Sequence, residues 1–118
     1  MARILVIDDH EPVLIVLRDM MKLFGHEVVS ARDGEEGVRL FREEKSDIII
    51  TDFYLPRKTG LEVIRELRQD YPDLGIIVYT AYDPSILDEA TEAGAQYAFE
   101  KPFHLSTIQN AINSLLER

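Results

Sequence analysis

The amino-acid sequence predicts an α/β fold in which helices cover both faces of a doubly wound, parallel sheet. Five short apolar runs, rich in β-branched residues, alternate with five segments of helical spacing. Pro and Gly residues separate most of these segments, and no internal repeat or linker interrupts them. Strands that alternate with helices favour right-handed crossovers and therefore parallel pairing.

The predicted strands are apolar runs that end close to a polar residue. The third strand is apolar or β-branched at residues 48–51, which is typical of a strand buried on both faces. Asp52 follows it directly. In chain order the predicted strands cover residues 3–7, 27–30, 47–51, 75–80 and 96–99.

Most of the predicted helices begin near a Pro or Gly residue. Pro12 suits the first turn of the first helix, and Gly25 suits its C-terminal end. The fourth helix, from Pro84 to Gly94, has few large apolar residues, so we expect it to be loosely held. In chain order the helices begin near residues 12, 34, 60, 84 and 106. Two doubly wound strand orders fit this pattern, a flavodoxin-like one and a Rossmann-like one.

Composition and charge argue against several classes of protein. The chain has 118 residues with 46% hydrophobic residues, which suits one domain spanning residues 1–118. No apolar stretch approaches the roughly 20 residues of a membrane helix. The absence of cysteine excludes disulfides and thiolate sites, and it fits a cytoplasmic location. A net charge of −9 disfavours direct nucleic-acid binding, because phosphate contacts need clustered Lys and Arg.

Polar side chains occur at the carboxyl ends of four predicted strands. Asp8 and Asp9 follow the first strand, Asp52 the third and Lys101 the fifth, while Thr80 ends the fourth. In a parallel sheet these ends meet at one edge, where α/β proteins bind ligands. Clustered carboxylates favour a cation such as Mg²⁺, and a Lys with a hydroxyl favours a bound anion such as a phosphoryl group. Each residue alone has a simpler structural explanation, but their joint placement favours a shared site.

The chain resembles the receiver domain of bacterial response regulators over its whole length. Each matching motif is weak alone, but all four in this order are highly specific. The motifs are Ile4-Leu5-Val6-Ile7-Asp8-Asp9, Asp52-Phe53-Tyr54-Leu55-Pro56 with Gly60, Val78-Tyr79-Thr80-Ala81, and Lys101-Pro102-Phe103. The resemblance implies a flavodoxin-like (βα)5 sheet with strand order 2-1-3-4-5.

The resemblance also implies a phosphoacceptor and a metal site. Asp52 would accept a phosphoryl group from a sensor histidine kinase or a histidine phosphotransfer protein. Asp9 would bind Mg²⁺ directly and Asp8 through water. Asp52 and the backbone carbonyl of Tyr54 would complete the protein ligands, and Mn²⁺ could substitute. The domain would act in signalling rather than as an enzyme with a separate substrate.

Further residues would bind the phosphoryl group. Lys101, before a cis bond to Pro102, and Thr80 would contact its oxygens, and Ala81 is small enough to leave the acceptor accessible. Phosphorylation adds about −1.5 to −2 charge units and would bias an existing conformational equilibrium. The face of the fourth helix, fifth strand and fifth helix would report the change to an output domain or a downstream protein. Phosphorylation-dependent homodimerisation also fits, and the sequence leaves open whether the domain stands alone or belongs to a longer regulator.

The chain departs from the family at the usual aromatic switch position, which here is Ala98. Tyr97 and Phe99 flank it, but strand alternation points them to the opposite face. Because Ala98 lacks the aromatic ring, we expect output to run through the backbone and the fourth helix instead. Tyr54 and Tyr82 occupy positions that tune phosphoryl hydrolysis in the family.

Other functions fit the residues less well. A flavodoxin-type electron carrier needs a Ser-, Thr- or Gly-rich loop after the first strand, where this chain is acidic. A haloacid-dehalogenase-type phosphatase needs a second Asp where Tyr54 stands. A Rossmann dehydrogenase needs a G-x-G-x-x-G turn, which the chain lacks. The remaining alternative is a pseudo-receiver, an interaction module that takes up no phosphate.

Overall fold

The computed structural model describes residues 1–81, 83–102 and 104–117. Within these ranges, five strands alternate with five helices. Their bounds are β1 Arg3–Ile7, α1 Glu11–Leu23, β2 Glu27–Ala31, α2 Gly34–Glu43, β3 Ile48–Asp52, α3 Gly60–Asp70, β4 Gly75–Thr80, α4 Ile86–Ala93, β5 Tyr97–Glu100 and α5 Leu105–Glu117.

All strand pairs are parallel, and the strands lie in the order β2-β1-β3-β4-β5. This order confirms the flavodoxin-like arrangement that the resemblance implied, and it rules out the Rossmann-like one. The neighbouring interior strands β3 and β4 are buried along their full length. Their burial explains why they are continuous apolar runs rather than alternating ones.

Two apolar layers flank the sheet. Alternate residues of β3 point to opposite layers, so that Ile49 faces α2, α3 and α4 while Ile50 faces α1 and α5. The same alternation on β4 puts Val78 in the first layer and Tyr79 in the second. This alternation decides on which face of the sheet each side chain at the carboxyl edge lies.

Helix α4 is the shortest helix in the described ranges, and few of its side chains are buried. It buries Ile86 and Ala90, whereas α3 and α5 each bury four residues. At its C-terminal end, the Arg68 guanidinium of α3 donates two hydrogen bonds to the Gly94 carbonyl, at 3.1 and 2.8 Å. The sequence placed its start at Pro84. The helix begins at Ile86 instead, because Asp83 closes a turn by accepting the Ser85 N–H at 3.0 Å.

Gly60 allows α3 to start against the end of β3. A Cβ atom at this position would lie 2.4 Å from the Asp52 carbonyl oxygen and 2.8 Å from the Phe53 Cα. Backbone atoms cannot move away cheaply, so only glycine permits this approach. Thr59 and Glu62 form a capping box at the same helix end. The first turn of α3 therefore supports the Asp52 backbone.

None of the helices in the described ranges combines the length and the apolar content that a bilayer crossing requires.

Candidate functional site

The polar residues predicted from the strand ends meet at the carboxyl edge of the sheet. Strands β1, β3, β4 and β5 are consecutive neighbours in the sheet. The Lys101 N–H donates to the Thr80 carbonyl at 2.7 Å, which ties the β4 end to the β5 end. The Phe53 N–H donates to the Tyr79 carbonyl at 2.9 Å, which ties the β3 end to β4. The backbone thus holds Asp52, Thr80 and Lys101 on adjacent strands.

Asp8 is the most deeply placed carboxylate of the site, with none of its surface exposed. Its Oδ1 accepts the His10 backbone N–H at 2.8 Å, and its Oδ2 accepts the Tyr79 hydroxyl. The Lys101 Nζ lies 3.9 Å from the same Oδ2. A buried carboxylate needs such partners, because an unpaired charge is costly away from water.

Asp52 is buried at the end of β3, with 9% of its surface exposed. Its Oδ1 accepts the Tyr54 N–H at 3.2 Å. Burial, together with the charges of Asp8 and Asp9, raises the pKa of Asp52 to about 6, although the Tyr54 hydrogen bond and Lys101 act to lower it. The carboxylate is therefore ionised but poorly solvated near neutral pH.

The acidic loop after β1 fits a divalent cation. Asp8, Asp9 and His10 each offer one ligand atom, and these atoms lie within 4.8 Å of one another. The carboxylates are hard oxygen donors of the kind that Mg²⁺ prefers, and their charges already oppose ionisation of Asp52. A cation here would relieve that repulsion. His10 was not predicted, although its position directly after Asp9 was a visible signal.

The residues predicted for the switch and for the output face lie at or just after the end of β4, along β5 and just after the end of β5. Thr80 is fully buried at the end of β4, and Ala81 is exposed beside it. The Lys101–Pro102 peptide bond is cis. Ala98 packs toward the α2, α3 and α4 layer. Tyr82 and Phe103, which the sequence analysis also named, lie outside the described residues.

Tyr97 and Phe99 lie on the opposite face of β5 from Ala98. They pack against the layer of α1 and α5, and their rings stack with centroids 6.0 Å apart. The Tyr97 hydroxyl bonds the Ser114 Oγ of α5 at 2.9 Å. The aromatic pair therefore joins β5 to α5 rather than to α4.

Tyr79 is a second residue of the site that the sequence analysis did not predict. Its side chain is fully buried, and its hydroxyl reaches from β4 to Asp8. Burial together with the Asp8 charge raises the pKa of this phenol further above its ordinary value, so it stays a hydrogen-bond donor. A tyrosine in an otherwise aliphatic central strand was the available signal, because buried hydroxyls normally have a partner.

The Lys101 side chain also borders an apolar groove of about 390 Å³ beside the site. The groove is formed by one side of α1 and the turn after β5. Its lining residues are Pro12, Val13, Val16, Leu17, Met20, Lys101 and Pro102.

Comparisons with known proteins agree on one family. The family model for the response regulator receiver domain matches residues 4–113. Response regulator MprA of Mycolicibacterium vanbaalenii is 38% identical, over 99% of this chain and 51% of that protein. The alkaline phosphatase synthesis transcriptional regulatory protein PhoP of Bacillus subtilis is 34% identical, over 98% of this chain and 49% of that protein. The chain thus spans about half the length of these curated relatives.

Solved structures give the same picture. A response regulator receiver domain protein from Clostridium thermocellum superposes with a TM-score of 0.94 at 31% identity, covering 100% of this chain and 96% of that one. A response regulator structure from Chloroflexus aurantiacus superposes with a TM-score of 0.93 at 29% identity, covering 99% and 98%.

Removing the Asp52 charge should stabilise the metal-free fold at high pH. The folded-state pKa of about 6 lies above the ordinary value of 3.8, so ionising Asp52 lowers stability as the pH rises through about 6. We expect Asp52→Asn to raise the free energy of unfolding by about 1–3 kcal/mol near pH 8 and by much less near pH 4.5. Urea denaturation in EDTA measures both values.

Asp19→Asn is the matched control, because Asp19 is exposed on α1. It should change stability little at either pH. An equal effect of Asp52→Asn at both pH values would contradict a raised pKa for Asp52.

Proposed function

The chain belongs to the response regulator receiver domain family of two-component systems, and we propose that its Asp52 accepts a phosphoryl group in a Mg²⁺-dependent reaction. One observation carries the proposal: the buried Asp52 carboxylate shares its sheet edge with an acidic loop, a lysine and a buried threonine. The acidic loop suits a cation, and the lysine and threonine suit an anion. A phosphoryl group coordinated to a metal needs both.

In the proposed reaction, an Asp52 carboxylate oxygen attacks phosphorus in line with the P–N bond of a phosphohistidine. That bond breaks, its electron pair stays on the imidazole nitrogen, and an aspartyl phosphate forms. Asp9, Asp52 and the Tyr54 carbonyl would hold Mg²⁺, or Mn²⁺, with Asp8 acting through water. The cation, when bound, would neutralise the carboxylates and the transferred oxygens.

Two residues would then hold the product. Lys101 would pair with a phosphoryl oxygen, and Thr80 would donate its hydroxyl to another. The backbone N–H of Lys101 donates a hydrogen bond to the Thr80 carbonyl, so a displacement of one residue would be passed on to the other. The new charge would bias the loops after β4 and β5 toward one arrangement. Helix α4 suits the response, because it buries only two side chains.

The partners follow from the chemistry and from the relatives. A sensor histidine kinase or a histidine phosphotransfer protein would supply the phosphoryl group. Because the curated relatives are about twice as long and some are named transcriptional regulators, we propose control of an output domain or of a downstream protein. Phosphorylation-dependent homodimerisation and a cytoplasmic location stay predictions. The domain's own chemistry would be limited to gaining and losing this phosphoryl group, with Tyr54 and Tyr82 tuning the loss.

The apolar groove on α1 suits the protein that carries the phosphohistidine. Lys101 lines both the groove and the acidic site, so a helix seated in the groove would place its histidine beside Asp52. Val16 is 57% exposed there among other apolar side chains, and contiguous exposed apolar surface is typical of a protein-interaction site. Docking of the phosphodonor would cover it.

The phosphoacceptor proposal is tested by intact mass after incubation with acetyl phosphate. We expect the wild type to gain one phosphoryl group in Mg²⁺, and none in EDTA, because the carboxylates need a cation to receive an anion. Asp52→Asn should gain none in either condition. Labelling of Asp52→Asn equal to that of the wild type would place the acceptor elsewhere, and no labelling of the wild type would favour the pseudo-receiver alternative.

The docking proposal is tested with Val16→Asp. A charge in the groove should slow phosphotransfer from a phosphorylated histidine kinase that labels the wild type, by about tenfold or more. Labelling by acetyl phosphate should stay unchanged, because this small donor needs no groove. Ile15→Asp is the matched control, since Ile15 is an exposed neighbour on α1 outside the groove. Equal slowing by both variants would contradict the assignment.

A further inference from the structure

Tyr79 touches both charged partners of the proposed metal and phosphoryl sites. Its hydroxyl donates to the Asp8 Oδ2. The Lys101 Nζ lies 4.6 Å from the centroid of its ring. The same Lys101 Nζ lies 3.9 Å from the Asp8 Oδ2. One tyrosine therefore contacts the carboxylate with its polar end and the ammonium with its aromatic face.

Tyr79 and Lys101 compete for one oxygen of Asp8. At 3.9 Å the Lys101 Nζ is within ion-pair distance of Asp8 but beyond hydrogen-bond distance. The Tyr79 hydroxyl occupies the donor position at that oxygen instead. The ring face also attracts the ammonium, because a cation is stabilised over an aromatic quadrupole. Both contacts therefore disfavour a closer approach of Lys101 to Asp8.

Loss of the hydroxyl would change this balance. Asp8 is fully buried, so an oxygen that loses its donor gains no water in exchange. Lys101 is the nearest cation, and a short Lys101–Asp8 hydrogen bond would form. That bond would neutralise a carboxylate of the metal site and bring positive charge toward an incoming cation. It would also occupy the lysine needed by the phosphoryl group.

We propose that Tyr79 is a positioning residue whose hydroxyl holds Asp8 apart from Lys101, leaving Asp8 for the divalent cation and Lys101 for the phosphoryl group. This inference rests on the proposed function, because it assigns Asp8 and Lys101 to those two ligands. The contribution of Tyr79 is the geometry of its two neighbours.

The experiment is a calorimetric Mg²⁺ titration of the unphosphorylated chain. Tyr79→Phe keeps the ring and removes the hydroxyl, so we expect the Mg²⁺ dissociation constant to rise about tenfold, as for other partners of metal ligands. Tyr71→Phe is the matched control, because Tyr71 packs on Phe41 away from the site. It should leave the constant unchanged.

A second pair of variants separates positioning from packing. In a Lys101→Met background there is no ammonium to close onto Asp8, so Tyr79→Phe should change Mg²⁺ affinity by less than about twofold. A tenfold loss that persists without Lys101 would overturn the inference. So would an unchanged affinity of Tyr79→Phe in the native background.

Two further outcomes are distinct. Failure of the wild type to bind Mg²⁺ would contradict the proposed function itself, whereas normal wild-type binding with no effect of Tyr79→Phe overturns only the role of Tyr79. Circular dichroism checks the fold of each variant. If Tyr79→Phe unfolds, Tyr79→Phe combined with Asp8→Asn takes its place. Recovery of the fold in the double variant supports a hydrogen bond from the Tyr79 hydroxyl to the Asp8 charge. Unfolding of both the single and the double variant assigns Tyr79 to packing alone.

Discussion

The interaction on which the structure depends is the repulsion among carboxylates held at one sheet edge. Asp8 and Asp52 are both buried, and Asp9 follows Asp8 in the same loop. The fold makes them neighbours through strand order, and their charges raise the pKa of Asp52. The site therefore costs stability in the absence of a cation. Such a cost is typical of functional sites, and here it would favour the binding of a cation and, through it, of a phosphoryl group.

The same geometry suits a switch. Thr80 and Lys101 end neighbouring strands and share a backbone hydrogen bond, so an anion that attracts both would shift the two loops as one unit. Helix α4 follows the β4 loop directly. Its C-terminal end is fixed by Arg68 at Gly94, whereas its first turn is closed by the local Asp83 turn. A shift of the β4 loop would reach this helix at its N-terminal end, which follows that loop in the chain. With Ala98 in place of an aromatic residue, this route needs no side-chain relay.

Much of the fold and the family were predictable from the sequence, because parallel strands buried on both faces leave a strong apolar signal and end in polar residues. The start of α4 was not, since Pro84 serves a turn as readily as a helix. The carboxyl ends of parallel strands meet at one edge of the sheet, so the sequence also predicted the shared position of Asp8, Asp52, Thr80 and Lys101. The Tyr79 contact did not, because the reach of a side chain between β4 and β1 depends on packing that no sequence interval encodes. His10 was overlooked for a simpler reason, as the motif draws attention to its two aspartates.

A crystal structure with Mg²⁺ and beryllofluoride, which mimics an aspartyl phosphate, would test directly whether Asp52 accepts a phosphoryl group beside a bound cation. We expect beryllofluoride on an Asp52 oxygen, with Mg²⁺ held by Asp9 and the Tyr54 carbonyl. We also expect Thr80 and Lys101 to contact the fluorides. Beryllofluoride or Mg²⁺ bound at another position, or an edge that binds neither at saturating concentrations, would contradict the proposed role of Asp52 and of this sheet edge.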